Sequence, residues 1–344
     1  MTVARSQLVD VSVTRYYHCI SRCVRRARLC GEGFEHRKQW IEGRLEKLAG
    51  CFAVSVCGFA VMDNHLHVLV RLDVGGARSW SAEEVVRRWF VAYPPKTPLG
   101  KEIKITQALI DHHAKDAKRI ELLRERLASL GWFMKALKEP LARMANKEDE
   151  CKGTFWESRY KSIAILDEEA LLATSAYIDL NLVAAGIAAT PETSRHTSVR
   201  QRVRHVKARG KLADLKAARS GSVAGSRAAG DMEEDLWLCP VEDRRRQGST
   251  REGMLEGFSL GSYLMLVDYT SRLRRQGKAR VSREVASIFD RLGSNADAWG
   301  NRIDRLFEKT RLHGSYFCTD RARLRELARK RGVHHLDNLT AAPA

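Results

Sequence analysis

The chain is predicted to be α+β, a sandwich with a central antiparallel sheet. Three observations predict it. Four segments read as strands, helical periodicity fills the stretches between them, and a polar Asp63-Asn64 pair between two apolar runs marks a hairpin.

Each element has its own justification. Residues 15–22 (RYYHCISR) form a strand rich in aromatic and polar side chains. Residues 35–50 read as a helix, because Trp40, Ile41, Leu45 and Leu48 recur near 3.6-residue spacing. Residues 52–62 and 65–72 are two strands joined by the Asp63-Asn64 turn. A Ser-x-x-Glu capping box, Ser81 and Glu84, starts a helix over 81–91. Residues 93–126 read as an insertion: Pro94, Pro95 and Pro98 break the chain, and the charged remainder predicts a solvated helix or a surface for DNA or a second subunit. Residues 130–146 carry an apolar stripe of Trp132, Phe133, Leu137, Leu141 and Met144, with a kink or split expected at Pro140. Residues 154–166 carry the next strand. Asp167, Glu168 and Glu169 then open a helix, since carboxylates favour the positive end of its dipole, and Gly186 can end it.

Beyond residue 190 the composition changes. Ten basic residues between 191 and 227, Arg200, Arg202 and Arg204 among them, face only Glu192 and Asp214, and the segment ends in SGSVAGSRAAG. This predicts a basic flexible linker over 191–250 that contacts phosphates, with an acidic patch at 231–238. Three amphipathic helices follow, separated by Gly277 and by Gly293-Ser294. They predict a helical C-terminal domain over 251–344, able to bind a duplex stem, to dimerise, or to pack on residues 1–190.

A formal net charge of +18 over 344 residues points to a polyanionic partner, nucleic acid before lipid headgroups. No segment approaches the roughly 20 apolar residues of a membrane span, and MTVARSQLVD has no signal-peptide core, so a cytoplasmic location is expected. The eight cysteines include no Cys-x-x-Cys pair and are expected as free thiols. His112-His113 and His334-His335 are adjacent, diverge in direction, and read as exposed histidines.

The chemistry sits elsewhere. His65 and His67, two apart on a strand, project their imidazoles to one face and make half of a metal site. On the downstream helix Tyr177 and Asn181 stand four apart and share a face. Either one alone reads as a core tyrosine or a helix-end residue. Together they offer a phenol nucleophile and an amide oxygen that could complete a His-His-Asn site.

This pattern resembles the HUH single-tyrosine transposases, most closely the REP-associated tyrosine transposases. The resemblance runs through Asn64-His65-Leu66-His67, then Gly153-Thr154-Phe155-Trp156-Glu157-Ser158-Arg159-Tyr160-Lys161, then YIDLNLVAAG from Tyr177 to Gly186, and spans about residues 14–190. Leu182 stands where the family has proline and Ala184 where it has arginine, which weakens one expected contact to DNA or to nearby carboxylates. The resemblance implies a ferredoxin-like sheet with the histidine pair on a central strand and the tyrosine helix packed across it. It implies a single-stranded DNA substrate flanked by a hairpin, bound in part by Arg159, Tyr160 and Lys161. Mg²⁺ or Mn²⁺ on His65, His67 and Asn181 would polarise the scissile phosphate for attack by Tyr177, leaving a 5′-phosphotyrosine and a free 3′-hydroxyl. Two other classes remain open: an HUH nuclease of replication or conjugation, and a non-catalytic hairpin-binding protein derived from a transposase.

Overall fold

Strand β3 (His65–Leu72) organises the molecule, because both of its faces are buried. Leu66, Val68 and Val70 enter one core, while Leu69 enters the other. A strand buried on both sides reads as a continuous apolar run, which is how HLHVLVRL looks. The computed structural model describes residues 9–230, 232, 234–276, 283–308 and 314–339. Its sheet has the order β2-β3-β1-β4-β5, with β1 at Tyr16–Arg22, β2 at Val54–Val61, β4 at Lys161–Ile165 and β5 at Tyr316–Phe317. β1 to β4 pair antiparallel throughout; β5 joins β4 in parallel, so the sheet is mixed where a purely antiparallel one was expected. The fold is α+β.

On the first face lie α1 (His36–Ala49), α2 (Ala82–Ala92) and α5 (Leu130–Glu148), joined by Tyr17 and Cys19 of β1. The 93–126 segment is not a solvated helix. Its helices α3 (Gln107–Ala114) and α4 (Ala117–Leu127) bury Ile110, Ile120 and Leu123 in the core that holds Val85 and Val86 of α2. Pro140 does not split α5. The Ala136 carbonyl, which a proline at 140 leaves without its helical donor, accepts Arg44 Nε at 3.2 Å instead. Met144 is exposed, and Ala145 takes the buried position expected of it. The strand expected over 154–166 is confined to β4; Trp156 upstream makes an isolated bridge to Cys23 and donates Nε1 to the Lys138 carbonyl at 3.0 Å.

On the second face α6 (Glu168–Asp179) crosses the sheet. The 191–250 segment is not a flexible linker. It folds into α8 (Ser198–Ala208), α9 (Leu212–Arg219) and α10 (Val223–Gly230), following the short α7 (Asn181–Ala184). Val199 and Val206 enter the same core as Tyr177. Residues 251–339 share it too, through α11 (Leu260–Gln276), α12 (Arg283–Arg291), α13 (Ala296–Glu308) and Phe317 of β5, and α14 (Arg321–Lys330) follows. The acidic start of α6 makes the join. Asp167 caps the Ala170 amide and accepts from the Thr319 amide, Glu168 pairs with Arg291, and Glu169 pairs with Arg302. Residues 1–8, Asp231, Glu233 and the Gly277 break lie outside the described residues. No helix among the described residues is long and apolar enough to cross a membrane.

One buried knot ties α6, α8, α11 and β2 together. The Asp179 carboxylate accepts from Ser198 Oγ at 2.5 Å, the Val199 amide at 2.9 Å and Tyr263 Oη at 2.5 Å, with Arg202 Nη1 at 3.9 Å. A bulge between Val56 and Gly58 frees the Cys57 carbonyl, which accepts Arg202 Nη2 at 2.7 Å. Gly58 lets the two approach closely, since a Cβ would come to 3.2 Å from Ser198 Oγ and push on it. Asp179→Ala takes the acceptor from the Ser198 and Tyr263 hydroxyls and the Val199 amide, leaving Glu234 as the acid facing Arg202, and is expected to lower stability by about 3–5 kcal/mol. The urea midpoint should fall accordingly, with Asp179→Leu/Arg202→Met recovering part of the loss. Equal stability of Asp179→Ala and the parent would show that the knot is not structural.

Candidate active site

His65 and His67 point to the α6 side of β3, opposite Arg22 and Ile20 of β1 respectively. The expected single helix from Glu168 to Gly186 is broken: α6 ends at Asp179, Leu180 turns the chain, and α7 starts at Asn181. Asn181 nevertheless reaches the same place. Tyr177, Asn181, His65 and His67 line one cavity of about 300 Å³, together with Asn64, Arg22, Arg26, Arg274 and Phe307. The His67 ring lies 4.8 Å from that of His65 and 5.4 Å from that of Tyr177, centroid to centroid. Tyr177 is only 8% exposed, and the Phe307 ring sits 4.8 Å from it.

The electrostatics suit neutral imidazoles. Burial, reinforced by the cations Lys161 and Arg22, holds His18 down at about 3. Burial and Arg22 hold His65 at about 4, and burial with the two neighbouring histidines keeps His67 well below the usual value. A histidine neutral at pH 7 can donate a lone pair to a metal without first losing a proton. Burial raises the Tyr177 phenol, against the opposing pull of the Asn181 amide and the Arg22 charge.

The residues present fit a divalent ion. His67 Nδ1 is paired with His18 Nε2 at 2.9 Å, while His67 Nε2 is buried without a hydrogen-bond partner. His65 Nδ1 is paired with Asn64 Oδ1 at 2.7 Å. In both rings one nitrogen is oriented by a neighbour, the arrangement that commits the other to a ligand. Asn181 adds an amide beside them, the third donor such an ion would need, since no group of three or more His, Cys, Asp or Glu is placed to hold a metal among the described residues.

Other expected contacts fall elsewhere. Arg202 is 1% exposed and belongs to the Asp179 knot, so it cannot reach DNA. Arg200 and Arg204, on α8, line a separate cleft of about 490 Å³. Tyr160 is largely buried in the core on the opposite face of the sheet, and its remaining edge lines a cleft of about 300 Å³ with Trp156 and Arg159. Arg159 is exposed, and Lys161 is half-buried opposite Ile20 at the start of β4. Seven of the eight cysteines are buried, and all are free. His112, His334 and His335 are exposed; His113 is half-buried against Phe90.

Sequence reasoning missed His18, Arg22, Arg26, Arg274 and Phe307. His18 and Arg22 share a strand face, so alternation within RYYHCISR was a usable signal once β1 is known to pair with β3. Arg274 and Phe307, from α11 and α13, gave none. His18→Phe is expected to weaken Mn²⁺ affinity by about 10–100-fold, the usual cost of removing a partner that orients a ligand. Calorimetric titration with Mn²⁺ measures this, alongside a urea midpoint; unchanged affinity in the folded variant would remove His18 from the site.

No family model matches the chain, and no curated protein matches it. Among solved structures, a REP-associated tyrosine transposase bound to a REP hairpin is similar over 55% of this chain and 78% of that chain, with 12% sequence identity and a TM-score of 0.33. At that identity and score the likeness assigns neither a fold nor a function to this chain.

Proposed function

We propose that this protein is a transposase: a metal-dependent single-strand DNA endonuclease and strand transferase, acting through Tyr177 on hairpin-flanked DNA. One observation carries the reading. Residues more than a hundred positions apart, His65, His67, Tyr177 and Asn181, converge on one small cavity edged by Arg22, Arg26 and Arg274. The β4-β1-β3-β2 order of the four antiparallel strands is also that of a ferredoxin-like sheet, with the histidines on a central strand.

The residues divide the work. His65, His67 and Asn181 would hold Mg²⁺ or Mn²⁺, which when bound supplies Lewis-acid polarisation of a non-bridging phosphate oxygen. Arg22, whose charge lowers the cost of ionising the Tyr177 phenol, favours loss of the phenol proton as the Oη–P bond forms. The P–O3′ bond breaks, and the 3′ oxygen leaves to become a 3′-hydroxyl. The 5′-phosphotyrosine keeps the phosphoester energy, so another strand's 3′-hydroxyl can reverse the step and join. Arg26 and Arg274 at the rim can meet the phosphates on either side. Such a substrate would put the protein in the cytoplasm, with the nucleoid.

A second reading, a non-catalytic hairpin-binding protein, is favoured by the Phe307 ring over Tyr177 and the Arg274 guanidinium 4.0 Å from the Phe307 ring centroid. Covalent trapping separates the two. End-labelled hairpin-flanked single strands with Mn²⁺ should give a denaturant-resistant adduct with the parent protein. Tyr177→Phe should give none, and chelation should abolish it. Hairpin binding with no adduct in Mg²⁺ or Mn²⁺ would establish the second reading.

A further inference from the structure

A larger cleft, about 740 Å³, lies between α13 and α14. Its walls carry Arg302 and Arg305 from α13, Arg321 and Arg325 from α14, and His334 and His335 from the segment after it; among the described residues no Asp or Glu lines it. Arg302 pairs with Glu169, whereas Arg305, Arg321 and Arg325 are exposed and form no ion pair among the described residues. The Asp320 carboxylate at the start of α14 caps the Ala322 and Arg323 amides. Arg302 is half-buried; burial holds its guanidinium below its usual value, with the like charge of Arg305 adding to it and the Asp167 charge opposing it. Cations gathered in a concave wall focus potential on an anion.

We propose that this cleft is a backbone-phosphate site for the duplex stem next to the strand that enters the Tyr177 cavity. The proposal rests on the DNA reading above and adds to it where the stem lies. α13 connects the two places: Arg302 and Arg305 line the cleft, and Phe307, two residues on, lines the catalytic cavity. The cleft and the catalytic cavity therefore lie on either side of one helix. Among the described residues no Phe, Tyr or Trp lines the cleft, so their lining offers no stacking platform for unpaired bases. Guanidiniums without aromatic partners suit a paired backbone, through bidentate contacts to phosphate oxygens.

The test uses full-length protein carrying Tyr177→Phe, so that no adduct forms, and fluorescence anisotropy over a range of salt. Two ligands are compared: a DNA hairpin with a single-stranded tail, and the tail alone. Adding Arg321→Ala and Arg325→Ala should flatten the log K against log[salt] slope for the hairpin by about 1.8, at about 0.9 per lost phosphate contact. Binding of the tail alone should not change. A control pair on α5, Arg143→Ala and Lys147→Ala, exposed and distant in sequence, should alter neither slope. An unchanged hairpin slope, or an equal loss on the tail alone, overturns the proposal. The adduct assay with otherwise parental protein keeps the two readings apart. An adduct with an unchanged slope defeats the cleft alone. A flattened slope with no adduct defeats the Tyr177 chemistry and leaves the cleft standing.

Discussion

Asp179 lies two residues after Tyr177 and two before Asn181, and its carboxylate is 1% exposed. A carboxylate at a helix C-terminus meets the wrong end of the dipole, and removing it from water costs several kcal/mol more. The donors around it offset that cost: the Ser198 and Tyr263 hydroxyls, the Val199 amide at the start of α8, and the Arg202 charge. Each donor comes from an element that propensity alone would leave loosely attached. Their convergence decides where α6 stops, and so the angle at which Tyr177 and Asn181 face the sheet.

The sheet supplies the other half of the constraint. Period-two alternation on β3 sends His65 and His67 toward α6 while Leu66 and Val68 fill the opposite core. Register with β1 then places His18 diagonal to His67, close enough for ring nitrogen to meet ring nitrogen. A one-residue slip would turn all of these imidazoles into the other core. The site is thus rigid because both of its walls are set by deep packing.

Charge is sorted by tertiary position. The net charge of +18 suggests a uniformly basic surface, yet basic residues close together in sequence separate completely. Arg202 is spent on Asp179 and on the Cys57 carbonyl, whereas Arg200 and Arg204, either side of it on the same helix, face a cleft. Arg71 is likewise buried, donating to the Gly253 and Glu252 carbonyls. In the C-terminal third, by contrast, Arg305, Arg321 and Arg325 line one cleft and form no ion pair among the described residues, while Arg302 beside them pairs with Glu169.

Much was legible in the sequence because it depended on local periodicity. The strands around Asp63-Asn64, the cap at Ser81, the acidic start of α6 and the shared face of His65 and His67 follow from spacing and helix-end chemistry within a few residues. Tyr177 and Asn181 line one cavity with His65 and His67, although the turn at Leu180 between them was not foreseen. What the sequence by itself determined was the inventory: which side chains share a strand face or a helix turn. The rest depended on partners far away in the chain. Whether Arg202 is a DNA contact or a buried counter-charge, whether 191–250 is a linker or a packed layer, and which ring covers Tyr177 were decided only by tertiary structure. The physical reason is that burial and charge compensation belong to the assembled core, where Asp179, Ser198, Arg202 and Tyr263 meet, and no local pattern records that meeting.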